Sequence, residues 1–222
     1  MRFKTCLFFV ALLLPGFLLA QNPASSQADK LDEAKIEGLK DVAAGSGQKG
    51  FLKLLLDHYR RKPAVYMTVN PEDAAYLKSN FPQEVASTIK VAEEVRRHYF
   101  LFRYEWDMEK TNIPYQFKGA IDWRAIPFGD PEWCFMLNRH RYWIDLAKAY
   151  YLTGDEQYAR TWVKQVTDWI GKNPLEDKSL KGLSWRRIEA GIRCENWIKS
   201  WELVRRSKAV TPEFLAMFLE SL

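Results

Sequence analysis

From residue 70 onward, apolar positions recur every three or four residues, the spacing of helices with one buried face. Asn70-Pro71-Glu72-Asp73 supplies an N-cap, a proline at the first helical position and acids in the first turn. Phe81-Pro82 closes that helix and opens another, where Val85, Ile89, Ala92, Val95, Tyr99 and Phe102 mark one face of a long element. From Trp133 a single helix, WCFMLNRHRYWIDLAKAYYL, runs to Thr153-Gly154-Asp155, which reads as a stop, a turn and a new cap. EQYARTWVKQVTDWI follows, with Ala159, Trp162, Val163, Val166, Trp169 and Ile170 on one side. GLSWRRIEAGIRCENWIKSW, residues 182–201, predicts the next helix. Thr211-Pro212-Glu213 caps a last one, in which Phe214, Leu215, Phe218, Leu219 and Leu222 keep helical period to the final residue. No strand-like alternation is prominent. The pattern predicts an all-α array of antiparallel helix pairs, and the missing stop signal at the end leads us to expect an array cut short.

Three stretches depart from this rhythm. Residues 1–20 carry Arg2 and Lys4, then an apolar run interrupted by Pro15-Gly16, then Ala20 before Gln21. That is the layout of a secretory signal peptide cleaved after Ala20, and the run is short for a membrane anchor. Residues 21–50 are small and polar and read as a leader with one short helix over about 29–42, so the folded domain is expected to occupy 51–222. Residues 103–132 contain three prolines and two glycines, yet hold Trp106, Tyr115, Phe117 and Trp123. A long aromatic loop of this kind either lids the core or serves function.

Helical wheels sharpen two segments. At 100° per residue, Arg186, Glu189, Arg193, Asn196 and Ser200 form one narrow polar stripe, flanked by apolar faces on both sides. A second polar stripe, Glu195, Lys199 and Glu202, lies roughly opposite. An outer helix of a bundle needs only one polar face. Two readings of the first stripe are open: a structural network in which Glu189 pairs with Arg186 and Arg193, or the wall of a ligand cleft. In the helix from Trp133, Asn138, Arg141, Asp145 and Lys148 make a polar stripe, whereas Arg139 and His140 fall within the apolar arc. Asn138-Arg139-His140 sits at the exit of the aromatic loop, so it reads equally as core or as ligand contact.

Composition narrows the chemistry. The 222-residue chain has a net charge of +5, or +3 once Arg2 and Lys4 are removed with the signal, so an acidic ligand is permitted and not required. Cys134 and Cys194 could pair in an oxidising compartment but read first as half-buried helical thiols, and no Cys/His spacing points to zinc, so neither metal nor cofactor is expected. No Gly-rich phosphate loop and no nucleophilic triad can be argued. Basic residues interleaved with aromatics also suit single-stranded nucleic acid, but an export signal argues against that partner. Nine tryptophans and ten tyrosines in an exported, arginine-rich helical array point to an anionic polysaccharide: arginine for its acidic groups, aromatics for its sugar faces. No membrane contact is expected after signal cleavage.

Two segments carry a family likeness: DWRAIPFGDPEWCFMLNRHRYWIDLAKAYYLTGDEQYA and, further on, GLSWRRIEAGIRCENWIKSW. In order and spacing they closely resemble the N-terminal domain of heparinase III-type polysaccharide lyases, from about Tyr66 to the chain end. The resemblance implies an incomplete (α/α) toroid, export to the periplasm, and eliminative cleavage of heparan sulfate or a related uronate-containing glycan. It also implies a far longer protein, in which the carboxylate-neutralising Asn, the Tyr base and a β-sandwich domain lie downstream. The catalytic residues are therefore expected beyond Leu222, and this chain is expected to be inactive alone. Substrate contact is expected at Asn138, Arg139 and His140, at Trp123 and Arg124 of the aromatic loop, and at Arg186, Glu189 and Arg193. The alternatives are a non-enzymatic helical-repeat binding module, although no 34-residue period recurs, and a fragment of an α/α-barrel glycoside hydrolase.

Overall fold

The computed structural model describes residues 47–65, 71–102 and 111–222. The expected signal peptide, the expected helix over about 29–42, the Asn70 cap and Trp106 lie outside these residues. The chain forms two compact units, one of them built from Thr211–Leu222 with the segment that ends at Pro63, the other spanning Ala64–Val210.

In the first unit, α1 (Gly47–Arg61) begins inside the stretch read as a leader. Phe51, Leu52, Leu55, Leu56 and Tyr59 recur at helical spacing and are buried. They pack with α8 (Pro212–Glu220), whose Phe214, Leu215 and Phe218 are also buried. The Thr211 hydroxyl accepts the Phe214 N–H at 3.1 Å, the cap expected from the sequence.

The second unit is a helical layer wrapped on one central element. It contains α2 (Pro71–Asn80), α3 (Pro82–Arg96), α4 (Pro131–Arg139), α5 (Tyr142–Thr153), α6 (Glu156–Lys172) and α7 (Arg187–Val204). Helix α5 packs against α2, α3, α6 and α7, which is why Tyr142, Trp143, Leu146, Ala147, Ala149 and Leu152 are all buried. Gly154 ends α5 at φ 73°, a left-handed conformation that glycine adopts without a Cβ clash. The Asp155 carboxylate then accepts the Gln157 N–H at 2.8 Å and starts α6.

Three expectations are corrected. The helix from Pro82 does not carry Tyr99 and Phe102. It stops at Arg96, His98 turns the chain at φ 56°, and Tyr99–Phe100 (β1) pairs antiparallel with Tyr115–Gln116 (β2). The competing partner is distant in sequence: the His98 carbonyl accepts the Phe117 N–H at 3.0 Å, and His98 Nδ1 lies 2.7 Å from the Gly119 carbonyl oxygen. The single helix from Trp133 is two, broken at His140, which sits at φ 57°. The helix expected from Gly182 starts at Arg187, because Trp185 N–H turns back to the Leu180 carbonyl at 2.9 Å and Arg186 N–H to that of Leu183 at 3.2 Å.

The aromatic loop folds inward where it is described. Phe117 and Trp123 are buried, and Tyr115 and Phe117 pack edge-on with Trp133 and Phe100 respectively, at 5.5 and 5.9 Å between ring centroids. Of the nine tryptophans, Trp123, Trp133, Trp143, Trp162, Trp169, Trp197 and Trp201 are buried, so most of the indole content serves packing.

Candidate functional site

The break between α4 and α5 organises the most polar part of the interior. His140 is fully buried, and its ring lies flat on Trp143 with centroids 3.8 Å apart. Trp197 of α7 donates its indole N–H to His140 Nδ1 at 2.9 Å. Trp123 and Trp169 stand perpendicular to the imidazole at 5.5 and 5.3 Å. This indole cage surrounds the left-handed backbone at residue 140, a conformation uncommon outside glycine but one in which asparagine, aspartate and histidine are enriched. Burial, and secondarily Arg193, keep the imidazole well below its ordinary pKa, so it is neutral. With Nδ1 accepting from Trp197, the ring proton sits on Nε2, and the ring has no lone pair to offer as a base.

Asn138, two residues earlier, ties three elements together. Its amide donates to the carbonyls of Cys134 and Trp123, both at 2.9 Å, and its oxygen accepts the Trp169 indole N–H at 2.8 Å. The arginine and glutamate side chains then bind α4 to α7. Glu189 is fully buried between Arg139 (3.1 Å) and Arg186 (2.5 Å), and Arg139 also meets Glu132 at 2.9 Å. Burial alone would raise the Glu189 pKa, but the hydrogen bonds from Arg186 and Arg139 outweigh it and hold the carboxylate ionised. Arg193 donates from Nη1 to the carbonyls of Ser184 (2.7 Å) and Asn138 (3.2 Å), with its guanidinium stacked on Trp169 and Trp185 at 4.3 and 4.7 Å. Asn196 donates to the Arg139 carbonyl at 2.8 Å. The two sequence motifs are thus joined by the Arg139–Glu189, Arg193–Asn138, Asn196–Arg139 and Trp197–His140 bonds.

Of the eight candidate residues, Trp123, Asn138, Arg139, His140, Glu189 and Arg193 have less than a tenth of their surface in water. The stripe on α7 is therefore largely internal, but its ion pairs differ from those expected: Glu189 meets Arg186 and Arg139, Arg193 bonds to backbone carbonyls instead, and Ser200 accepts the Trp162 indole N–H at 3.0 Å. Arg186 joins the network through Glu189 while remaining 39% exposed, its guanidinium over the Phe135 ring at 3.9 Å. Arg124 stands apart on the surface, paired with Asp177 at 3.1 Å. The solvent-facing stripe is the opposite one, where Glu195 and Lys199 pair at 2.6 Å, although Glu202 is buried.

Among the described residues, surface cavities adjoin this core. One of ≈ 740 Å³ at the start of α7 is lined by Leu175, Lys181, Trp185, Arg186, Arg187 and Ile188. A second, of ≈ 390 Å³, is formed by residues 120–124 with Lys172. A third, ≈ 330 Å³, runs between α5 and α7 past Arg141, Asp145, Lys148 and Asn196. Burial pushes the Asp145 carboxyl up to about 6, against the pull of Lys148. Lys181, Trp185 and Arg187 were not singled out as contacts from the sequence. The signal was present in the run Ser184-Trp185-Arg186-Arg187, but only the turn before α7 puts those side chains around one hollow. Cys134 is a buried free thiol, and burial raises its pKa to about 12. Among the described residues no His/Cys/Asp/Glu group has metal-binding geometry, and no helix is long and apolar enough to cross a membrane.

The comparisons with known proteins agree with this architecture. Residues 28–222 match the family model described as heparinase II/III N-terminus. A heparin-sulfate lyase of Bacteroides stercoris is 30% identical over 238 residues, a match covering 97% of this chain and 34% of that protein. A heparin-sulfate lyase of Pedobacter heparinus is 30% identical over 228 residues, covering 98% and 33%. The crystal structure of heparan sulfate lyase HepC from Pedobacter heparinus aligns with a TM-score of 0.68 at 28% identity, over 85% of this chain and 29% of that one. The chain spans about a third of the length of the curated relatives it matches. With the family model matched over residues 28–222, which include every described residue, and the helical fold shared with a heparan sulfate lyase, the chain belongs to the heparinase II/III family and corresponds to its N-terminal, helical toroid region.

Proposed function

We propose that this chain is the N-terminal helical portion of an exported, periplasmic polysaccharide lyase that cleaves heparan sulfate or a related uronate-containing glycan by β-elimination. In this reading it supplies one wall of the glycan-binding groove and is inactive by itself. The observation that carries it is the pairing of family membership with a line of basic side chains seated over buried indoles: Arg124, Lys172, Arg186 and Arg187 are at least partly exposed, the first three held in ion pairs with Asp177, Asp168 and Glu189. Fixed cations suit the carboxylate and sulfate groups of such a glycan.

The elimination chemistry needs a base for the proton beside the uronate carboxylate and a donor that neutralises that carboxylate. His140 is unsuited to the first role, since it is buried, neutral and already an acceptor. Asn138 is unsuited to the second, since its amide is spent on Trp123, Cys134 and Trp169. These residues act as positioning groups for the wall, and neither of them carries the proton transfers. The test is incubation of the purified chain with heparan sulfate, followed by ultraviolet absorbance of the unsaturated uronate product. No product is expected from this chain, and binding without turnover is expected by calorimetry. Rapid formation of unsaturated product would overturn the inactivity, and saturated products would identify a hydrolase instead.

A further inference from the structure

We infer that the hollow at the start of α7 is a subsite for one anionic pyranose unit, with the Trp185 indole against the sugar ring and Lys181 and Arg187 on its charged substituent. This rests on the anionic-glycan reading above and adds to it a place and a set of contacts.

The cavity, ≈ 740 Å³, is of the size that holds a small ligand. Among the described residues no carboxylate lines it. Arg186 spends its charge on buried Glu189, whereas among the described residues neither Lys181 nor Arg187 is ion-paired. Two unpaired exposed cations are ordinarily just a solvated face. What distinguishes this one is the ring between them. Trp185 is partly exposed yet held in a fixed orientation from three directions. Its indole N–H donates to the Asn173 carbonyl at 3.0 Å, the Arg193 guanidinium stacks on it at 4.7 Å, and Trp169 packs at 5.5 Å. Arg193 is itself locked by the carbonyls of Ser184 and Asn138, so the ring is referenced to the rigid turn at residue 140. An indole ordered before binding loses little entropy when a ligand stacks on it. Leu175 and Ile188, 54% and 57% exposed, extend the apolar floor for the sugar C–H face. The two cations sit on flexible stems and so tolerate variation in where the acidic group stands. That group is a uronate carboxylate or a sulfate ester; both present anionic oxygens to the same donors.

The experiment is calorimetric titration of the full 222-residue chain and of its K181A/R187A variant. Both substituted side chains are exposed, so the variant is expected to keep the parent's thermal midpoint. The probes are a heparan-sulfate tetrasaccharide, the same tetrasaccharide after desulfation and N-acetylation, and neutral maltotetraose. The expected result is binding of the sulfated probe that weakens about tenfold or more in the variant, with little affinity for maltotetraose. An equal loss with the desulfated probe assigns the contact to the carboxylate; a loss confined to the sulfated probe assigns it to sulfate. Undiminished binding by the variant overturns the subsite and leaves the glycan reading intact. So does an equal loss in a Lys118→Ala control elsewhere on the surface, because the effect is then general charge attraction. Binding of maltotetraose as tight as the charged probes also overturns it. Failure of the parent chain to bind any charged probe overturns the subsite and the binding part of the glycan reading together.

Discussion

The His140 imidazole is buried among Trp123, Trp143, Trp169 and Trp197 in a left-handed turn, and its titration is a direct probe of that cage. Its pKa is held below 6.5, so an unfolded chain takes up a proton on acidification that the folded chain refuses. Its contribution to stability is complete above 6.5 and is lost as pH falls below that value. Asp145 works in the opposite sense. Its folded pKa, about 6, exceeds the ordinary 3.8, so acidification through that interval favours the folded state. Comparing the parent with His140→Asn separates the two, since asparagine tolerates φ > 0 and does not titrate. The parent's advantage in urea midpoint is expected to shrink between about pH 7.5 and about pH 5.5; a constant gap would mean that the buried ring takes up its proton in place. At Glu189, alanine would remove the buried carboxylate that Arg139 and Arg186 both meet. The expected loss is about 3 kcal/mol, read by urea unfolding, with Glu189→Gln milder because it keeps an acceptor. An unchanged midpoint would show that the network is dispensable.

Local signals govern the elements wherever the partner is close in sequence. Gly154-Asp155 makes the α5–α6 hairpin because a left-handed glycine and a carboxylate cap are adjacent in the chain. Asp155→Ala removes the acceptor for the Gln157 N–H and is expected to lower stability by about 1 kcal/mol, measured as a thermal shift. An unshifted midpoint would mean that tertiary packing alone sets the start of α6. Elements that end against distant partners behave differently. Helix α3 stops where His98 meets Phe117 and Gly119, and α4 stops where His140 meets Trp197 of α7. In both places apolar residues continue at helical spacing past the true boundary, so periodicity overruns it.

For the whole molecule, large apolar side chains remain in water. Tyr76 and Phe81 are 60% and 43% exposed and lie against each other at 6.2 Å, and Phe128, 56% exposed, sits 6.1 Å from Tyr115. Such paired aromatic patches favour association. The isolated chain is expected to self-associate as concentration rises, checked by light scattering; a monodisperse monomer throughout would oppose this. The amino-acid sequence by itself determined the helical class, the caps at Thr211 and Asp155, the turn at Gly154 and the family likeness carried by two motifs, because each depends on residues near one another in the chain. It also paired Glu189 with Arg186, a relation of three positions on one helix. Which way the α7 stripe faces was open until the fold was known. Only tertiary structure decided it, by bringing Arg139 and the Asn138 carbonyl against Glu189 and Arg193 across about fifty residues of chain, where these side chains are buried against one another. The same packing placed Lys181, Trp185 and Arg187 around a hollow, since a surface site depends on the turn that gathers its residues and on what fixes the ring between them.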